Sequence, residues 1–357
     1  MTAALQSLIT IVIFFVMLGG LVVIHELGHF ITARLAGVRV LEFGLGFPPR
    51  AKVLRSRGET LYTLNWLPIG GFVRLEGEDG DSDDPRSFVR AALPVKLVIL
   101  VAGVVMNVVL AFVIFFGISA LANPTWELTI GEVQAGSPAA TVGLVAGDKI
   151  VAIQGEEFDG FKDPSLGLRD RAGQTVQLEV VHADGTRQTI IATLRPPAEA
   201  QARGALGIAF GRTIAYHQNP PGTALATAAA RTGEALTLIW DGLRTLADSI
   251  VSRPTQAPPV VGPIGIASQV GNVFWQLGFV YTLYFAALLS ANLAVVNILP
   301  FPPLDGGRIL VLLLKRVAGQ RISIRAERLT YLVGFVVLMV FLAWISFFDV
   351  TNPGRGR

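Results

Sequence analysis

Residues 21 to 37 read LVVIHELGHFITARLAG, and within them His25, Glu26 and His29 fit the spacing H-E-x-x-H. Four residues of helix advance about one turn, so both imidazoles project from one face and can share a cation, with Glu26 beside water at the metal. That donor set suits zinc. A five-residue pattern arises by chance, but its surroundings here are unusual. No charged side chain occurs from Ala4 to Ile24, and ~20 apolar residues cross a bilayer core. Two of the chain's four histidines are therefore spent inside a membrane span. An ionised group at mid-bilayer costs roughly 2.5 to 3.5 kcal/mol, so such groups face a bundle interior and serve a function.

Catalytic zinc takes three protein ligands and leaves a position for water, so two histidines are one ligand short. The segment ANLAVVNILPFPPLDGGR, residues 291 to 308, puts Asp305 at the end of an apolar run broken by Pro300, Pro302 and Pro303. Taken alone, Asp-Gly-Gly is a polar turn at a membrane surface. Prolines that disrupt a helix at membrane depth are tolerated only where protein or water satisfies the freed backbone, which favours a site. The same segment carries Asn292 and Asn297, and the preceding span carries Gly103 and Asn107 in AGVVMNVVL. Asparagines in spans join helices, at ~0.6 kcal/mol on average, or serve as hydrogen-bond partners for a substrate backbone or a developing oxyanion.

The elements that position these groups are membrane helices. The chain has 357 residues, 52% hydrophobic and 15% charged, with mean hydropathy +0.57, whereas soluble domains are ~25% charged. Four apolar runs are long enough to span: about Ala4 to Ala33, Pro94 to Ala122, Val273 to Leu299 and Leu329 to Phe348. The net charge of +3 does not point to nucleic acid, because the basic residues are spread over short connections. They read as topology signals. Arginines and lysines crowd the loop from Arg34 to Lys96 and the stretch holding Arg308, Lys315, Arg316, Arg321, Arg325 and Arg328. The positive-inside rule puts both in the cytoplasm, with the long segment between the second and third spans and both termini outside. The terminal GRGR argues mildly the other way. Without cysteine there is no disulfide frame and no thiolate metal site. MTAALQS carries no Lys or Arg ahead of the first run, which argues against a cleaved signal peptide.

Residues 125 to 212 read as β-rich, with alternating stretches and an Asp184-Gly185 turn suited to a hairpin. Residues 223 to 252 have Leu236, Ile239, Leu243, Leu246 and Ile250 at helical spacing, which predicts an amphipathic helix packed on the bundle or lying in the membrane interface. The Pro-rich RPTQAPPVVGPIG separates it from the third span. Residues 37 to 93 contain FGLGFPPR and LPIGGFVRLEGE around the alternating LYTLNWL, and predict a membrane-associated hairpin-like loop with Gly71 beside the first span. The acidic EGEDGDSDD lacks EF-hand spacing and reads as solvated loop.

These motifs together resemble the site-2 protease family of intramembrane zinc metalloproteases, of the bacterial regulator-of-sigma-E protease type. The resemblance rests on H-E-x-x-H in the first span, G-x-x-x-N at Gly103 and Asn107, and N-x-x-P-x-P-x-L-D-G from Asn297 to Gly306. It implies zinc on His25, His29 and Asp305, Glu26 as general base, and Asn297, Asn107 and Gly71 as substrate contacts. The string from Gly136 to Gly155 is similar to the PDZ core. GALGI at 204 to 208 resembles a PDZ carboxylate loop, permuted to the end of the module, with Leu206, Gly207 and Ile208 at a peptide groove. Some members carry two such modules, and this chain has room for one.

The expected fold is a polytopic α-helical membrane protein with four transmembrane helices, the hairpin-like loop and an inserted β-rich PDZ domain. Its expected segments are 1–36, 37–93, 94–122, 125–212, 223–252, 273–306 and 329–348. The expected activity is cleavage within the spans of single-span proteins already trimmed by another protease, in the inner (plasma) membrane and without nucleic acid. A released anti-sigma factor and a signal-peptide remnant fit equally as substrates. A non-enzymatic scaffold, with the PDZ module capturing tails and the metal bracing the bundle, is the alternative. A transporter is disfavoured by the lack of an inverted repeat.

Overall fold

The computed structural model describes residues 2–56, 58–78, 80, 82–252, 257–318 and 323–352. Parts of the acidic run, the first residues of the Pro-rich stretch, Arg321 and the terminal GRGR lie outside the described residues. In chain order, α1 is Ala3–Leu35, followed by β1 (Val40–Arg55), β2 (Leu61–Leu75) and α2 (Leu93–Ala122). Then come β3 (Asn123–Val133), α3 (Pro138–Thr141), β4 (Lys149–Ile153), β5 (Glu156–Asp159) and α4 (Pro164–Arg169). Next are β6 (Thr175–Val181), β7 (Arg187–Thr193), α5 (Pro197–Arg203) and β8 (Ile208–His217). The chain closes with α6 (Pro221–Ser252), α7 (Pro263–Leu277), α8 (Phe279–Asn297), α9 (Asp305–Ala318) and α10 (Ile324–Thr351).

It divides into two compact units, Met1–Phe116 with Leu225–Arg357, and Gly117–Ala224. Among the described residues, four helices are long and apolar enough to cross a membrane: Ala4–Leu35, Leu93–Ala122, Phe279–Asn297 and Arg325–Thr351. Leu8, Val12 and Val16 of α1 are more than half exposed at four-residue spacing. Such a stripe in a helix apolar all round suits lipid contact. The third span differs from the run expected to start at Val273. Gly278 has φ 87° and separates α7 from α8. A β-branched residue resists that conformation, whereas glycine adopts it freely, so the apolar run splits into two helices.

β1 and β2 are antiparallel and pair twice. Glu42 to Leu45 face 71–74 on one side and 61–64 on the other, while Arg50 to Arg55 pair with 62–65. Residues 71–75 thus form an edge with no strand on their outer side among the described residues. Buried Glu42 fastens the centre: its carboxylate accepts from Arg50 Nη2 at 2.9 and 3.0 Å and from Thr63 Oγ1 at 2.8 Å. One apolar cluster ties this sheet to the helices, with Ala33 of α1, Val40, Leu75, Ile99 and Leu100 of α2 buried and Ile309 and Leu312 of α9 packed against them. α9 is helical where the sequence suggests only a short basic connection between spans. Its Ile309 and Leu312 sit three apart and turn inward, while Lys315 and Arg316 occupy its last turn, where cations suit the helix dipole.

The second unit is a PDZ-like six-stranded antiparallel sheet in the order β7-β6-β4-β5-β3-β8. Strand alternation drives it: Val176, Leu178 and Val180 of β6 are buried while Thr175 and Gln177 are exposed. Ser137 caps α3 by accepting from the Ala140 N–H at 3.2 Å, and Asp163 caps α4 through the Ser165 N–H at 3.0 Å. β8 is an edge strand.

Candidate metal centre and catalytic cavity

Three donors from two distant segments converge. His25 Nε2 and His29 Nε2 are 3.2 Å apart, and Asp305 Oδ2 lies 3.0 Å from the first and 3.4 Å from the second. The histidines come from one face of α1, one turn apart. Asp305 is delivered by the first turn of α9. A Cβ at Gly306 would collide with the Ile298 carbonyl, and one at Gly307 would lie 2.5 Å from the Phe301 carbonyl carbon. The glycine pair therefore lets the broken end of α8 lie directly on the start of α9, and that contact brings Asp305 to the histidines.

α2 supplies the back wall. His29 Nδ1–H donates to the Ile99 carbonyl at 2.7 Å, which leaves the Nε2 lone pair facing His25 and Asp305. One turn later, a Cβ at Gly103 would strike His29 Nε2 and lie 2.7 Å from His25 Cε1. A Cβ at Gly28, between the two histidines, would lie 2.7 Å from the Ala102 carbonyl carbon. Two helices can approach this closely only through small residues.

The donor set fits zinc. Bonds of ~2.0 to 2.1 Å in tetrahedral geometry put ligand atoms ~3.3 Å apart, close to the three separations found. Asp305 Oδ2 is also a buried oxygen with no hydrogen-bond partner among the described residues. Such an orphan costs ~1 to 3 kcal/mol unless something pairs it, and a cation among the three donors would do so.

A cavity of about 450 Å³ opens on this cluster, lined by Glu26, Gly71, Asn297, Asp305 and both histidines together with Phe47, Phe72, Leu293 and Leu304. Glu26, Gly71 and Asn297 thus share the space in front of the donors. Asn107 does not line it. It is wholly buried, its amide 3.3 Å from His25 Nδ1 on the far side of the ring. Two lining residues had been read otherwise in sequence. Arg308 counted as a topology charge and Glu78 as part of an acidic loop, yet the Arg308 guanidinium donates to the Glu78 carboxylate within the cavity wall. The signal for Arg308 was its position three residues after Asp305, on the same helix face. Among the described residues the Asn292 side chain makes no hydrogen bond, and it does not line the cavity.

In the PDZ-like unit, Leu206 is a core residue and its carbonyl accepts from the Ala139 N–H at 3.1 Å. Gly207 has φ 73°, its carbonyl accepts from the Gln134 N–H at 3.0 Å, and Ile208 opens β8. The side chain of Leu206 therefore faces the module's interior.

Apolar spanning helices around a His-His-Asp cluster define a membrane-embedded zinc metalloprotease. The sequence profile of Peptidase family M50 matches residues 13–341, and the chain belongs to that family. It is 33% identical over 351 residues to a Clostridium acetobutylicum protein that carries a provisional zinc metalloprotease name, covering 98% of this chain and 99% of that one. It is 26% identical to zinc metalloprotease RasP of Geobacillus kaustophilus, over 97% of this chain and 98% of the relative. Against zinc metalloprotease RasP of Oceanobacillus iheyensis it is 28% identical over 96% and 98%.

Proposed function

We propose that this protein is an intramembrane endopeptidase that cuts within the spans of single-span membrane proteins after another protease has removed their external part. The observation that carries the proposal is the position of the donors. His25, Glu26 and His29 belong to a helix apolar enough to span a membrane, and the cavity before them has mostly apolar walls. His25, His29 and Asp305 would hold the metal, which supplies the Lewis acidity that makes water a nucleophile near neutral pH. Glu26 takes the proton from the attacking water and returns it to the leaving nitrogen as the peptide bond breaks, a role worth ~10²- to 10⁴-fold in rate.

A helical substrate hides its carbonyls in i to i+4 hydrogen bonds and must unwind before attack. Replacement partners are at hand. Among the described residues no strand pairs with the outer side of 71–75, and Gly71, Phe72 and Val73 line the cavity; an extended peptide can add to such an edge. Asn297, at the last turn of α8, would hold the substrate backbone opposite Gly71. Water reaches the donors from the cytoplasmic face in this reading, since Glu78 and Arg308 line the cavity and Arg34 follows His29 by about one turn. The protein would then sit in the inner (plasma) membrane with its PDZ-like unit outside. Leu206, Gly207 and Ile208 mark the turn into the β8 edge, where a peptide tail would bind.

The proposal is tested by incubating the purified full chain with a single-span reporter of short ectodomain and mapping the products by mass spectrometry. A cut inside the apolar span that a chelator stops and zinc restores supports it. Cuts confined to the soluble flanks would sink it.

A further inference from the structure

Asn107 holds a position that substrate binding does not explain. It is one of the wholly buried side chains of the protein, and it lies behind His25, outside the cavity. Its backbone carbonyl accepts from Ser290 Oγ at 2.8 Å, and Ser290 is itself wholly buried. That bond joins α2 to α8, and it uses no atom of the Asn107 side chain. The amide does something else: it meets His25 Nδ1 at 3.3 Å, while Asn107 Oδ1 is a buried oxygen without a hydrogen-bond partner among the described residues.

The two histidines are thus served by one face of α2 at four-residue intervals. The Ile99 carbonyl takes the proton of His29 Nδ1, Gly103 leaves room for both rings, and Asn107 reaches His25 Nδ1. A neutral imidazole whose Nε2 lone pair serves a metal carries its proton on Nδ1, and that proton needs an acceptor. The amide's oxygen and nitrogen exchange by a half-turn with almost no change of shape. With Nδ2 toward the ring, His25 keeps its proton on Nε2, the atom that faces Asp305. With Oδ1 toward the ring, the proton moves to Nδ1 and Nε2 is free.

We propose that Asn107 is a positioning residue: its Oδ1 accepts from His25 Nδ1–H and so holds the imidazole with Nε2 toward the metal, as the Ile99 carbonyl does for His29. This replaces the substrate or oxyanion contact expected from sequence. It gives G-x-x-x-N in α2 a physical content, with glycine as the clearance and asparagine as the proton acceptor. The inference rests on the metal reading of His25, His29 and Asp305. Partners of this outer kind alter metal affinity by ~10- to 100-fold.

The test compares zinc affinity of the full chain by competition with a chromophoric chelator, beside the thermal midpoint of the metal-free protein. Asn107→Leu keeps the volume and the backbone bond to Ser290 but removes the acceptor. It is expected to weaken zinc binding ~10- to 100-fold while the metal-free midpoint stays near that of the wild type. Asn107→Asp, which keeps an acceptor oxygen, is expected to bind zinc within a few-fold of wild type. Ser290→Ala should lower the midpoint and leave affinity alone, which separates helix joining from ring positioning. The proposal is overturned if Asn107→Leu binds zinc as the wild type does, or if its loss matches that of Ser290→Ala. Asp305→Ala is the control for the reading beneath it. If that variant also retains zinc, the metal site itself is misread; if it alone loses zinc, only the role of Asn107 falls.

Discussion

At Gly103, two demands on one residue pull apart in a way that can be measured. In the middle of α2, glycine costs roughly 1 kcal/mol relative to alanine, a gain that Gly103→Ala keeps in the metal-free protein only if both imidazoles swing away from the new methyl. The new methyl would meet His29 Nε2 and His25 Cε1, which makes loss of the zinc site the expected result. Metal content by mass spectrometry, read beside the unfolding midpoint, checks both halves; full occupancy would show that the rings have room to move. His25, Glu26, His29 and Asp305 were legible in sequence because each breaks a local rule, a titratable group in an apolar span or at a helix break. Their converging geometry was found in the structure, since α1 and α9 lie some 280 residues apart in the chain. Asn107 was visible as well, and the structure seats it behind His25, outside the cavity. Its spacing from Gly103 reveals a shared helix face, and only the fold reveals that this face looks at the back of His25.

Among the elements, the apolar helices were legible by length alone and the hairpin by its alternation and glycines. Composition hid the boundary between α7 and α8, because both sides of Gly278 are equally apolar and the break is a matter of backbone angle. α9 was hidden by the prolines before it, which advertise a loop. The double pairing of β1 with β2 was also beyond reach, since alternation gives a strand its faces and says little about its partners. GPIG at 262 to 265 gains its meaning at this scale. The Gly262 and Gly265 N–H groups donate to Asp349 of α10 at 3.1 and 2.9 Å. The first N–H groups of a helix have no partner within it, so a carboxylate from α10 closes the start of α7. Asp349→Ala should cost about 1 to 3 kcal/mol through the orphaned donors, with Asp349→Asn less harmful because one acceptor remains. Thermal midpoints of the two variants decide; equal midpoints would show that water serves these groups as well.

For the whole molecule, the orientation proposed from the charges along the chain is easy to test, because the sequence has no cysteine. A single cysteine at Asp184, in the β6–β7 turn, should react with a membrane-impermeant maleimide added to intact cells. One at Glu59, in the β1–β2 turn, should react only after lysis. The opposite pattern would invert the topology and move the side from which water reaches the site. The central claim is that the buried donors and Glu26 form a catalytic site instead of a brace for the bundle. The measurement that tests it most directly is the cleavage rate of an ectodomain-trimmed single-span reporter by the wild type and by Glu26→Gln, each loaded with one zinc. The account predicts that Glu26→Gln keeps its zinc and loses at least ~10²-fold in rate. A Glu26→Gln enzyme that cuts the reporter within its span as fast as the wild type would contradict it.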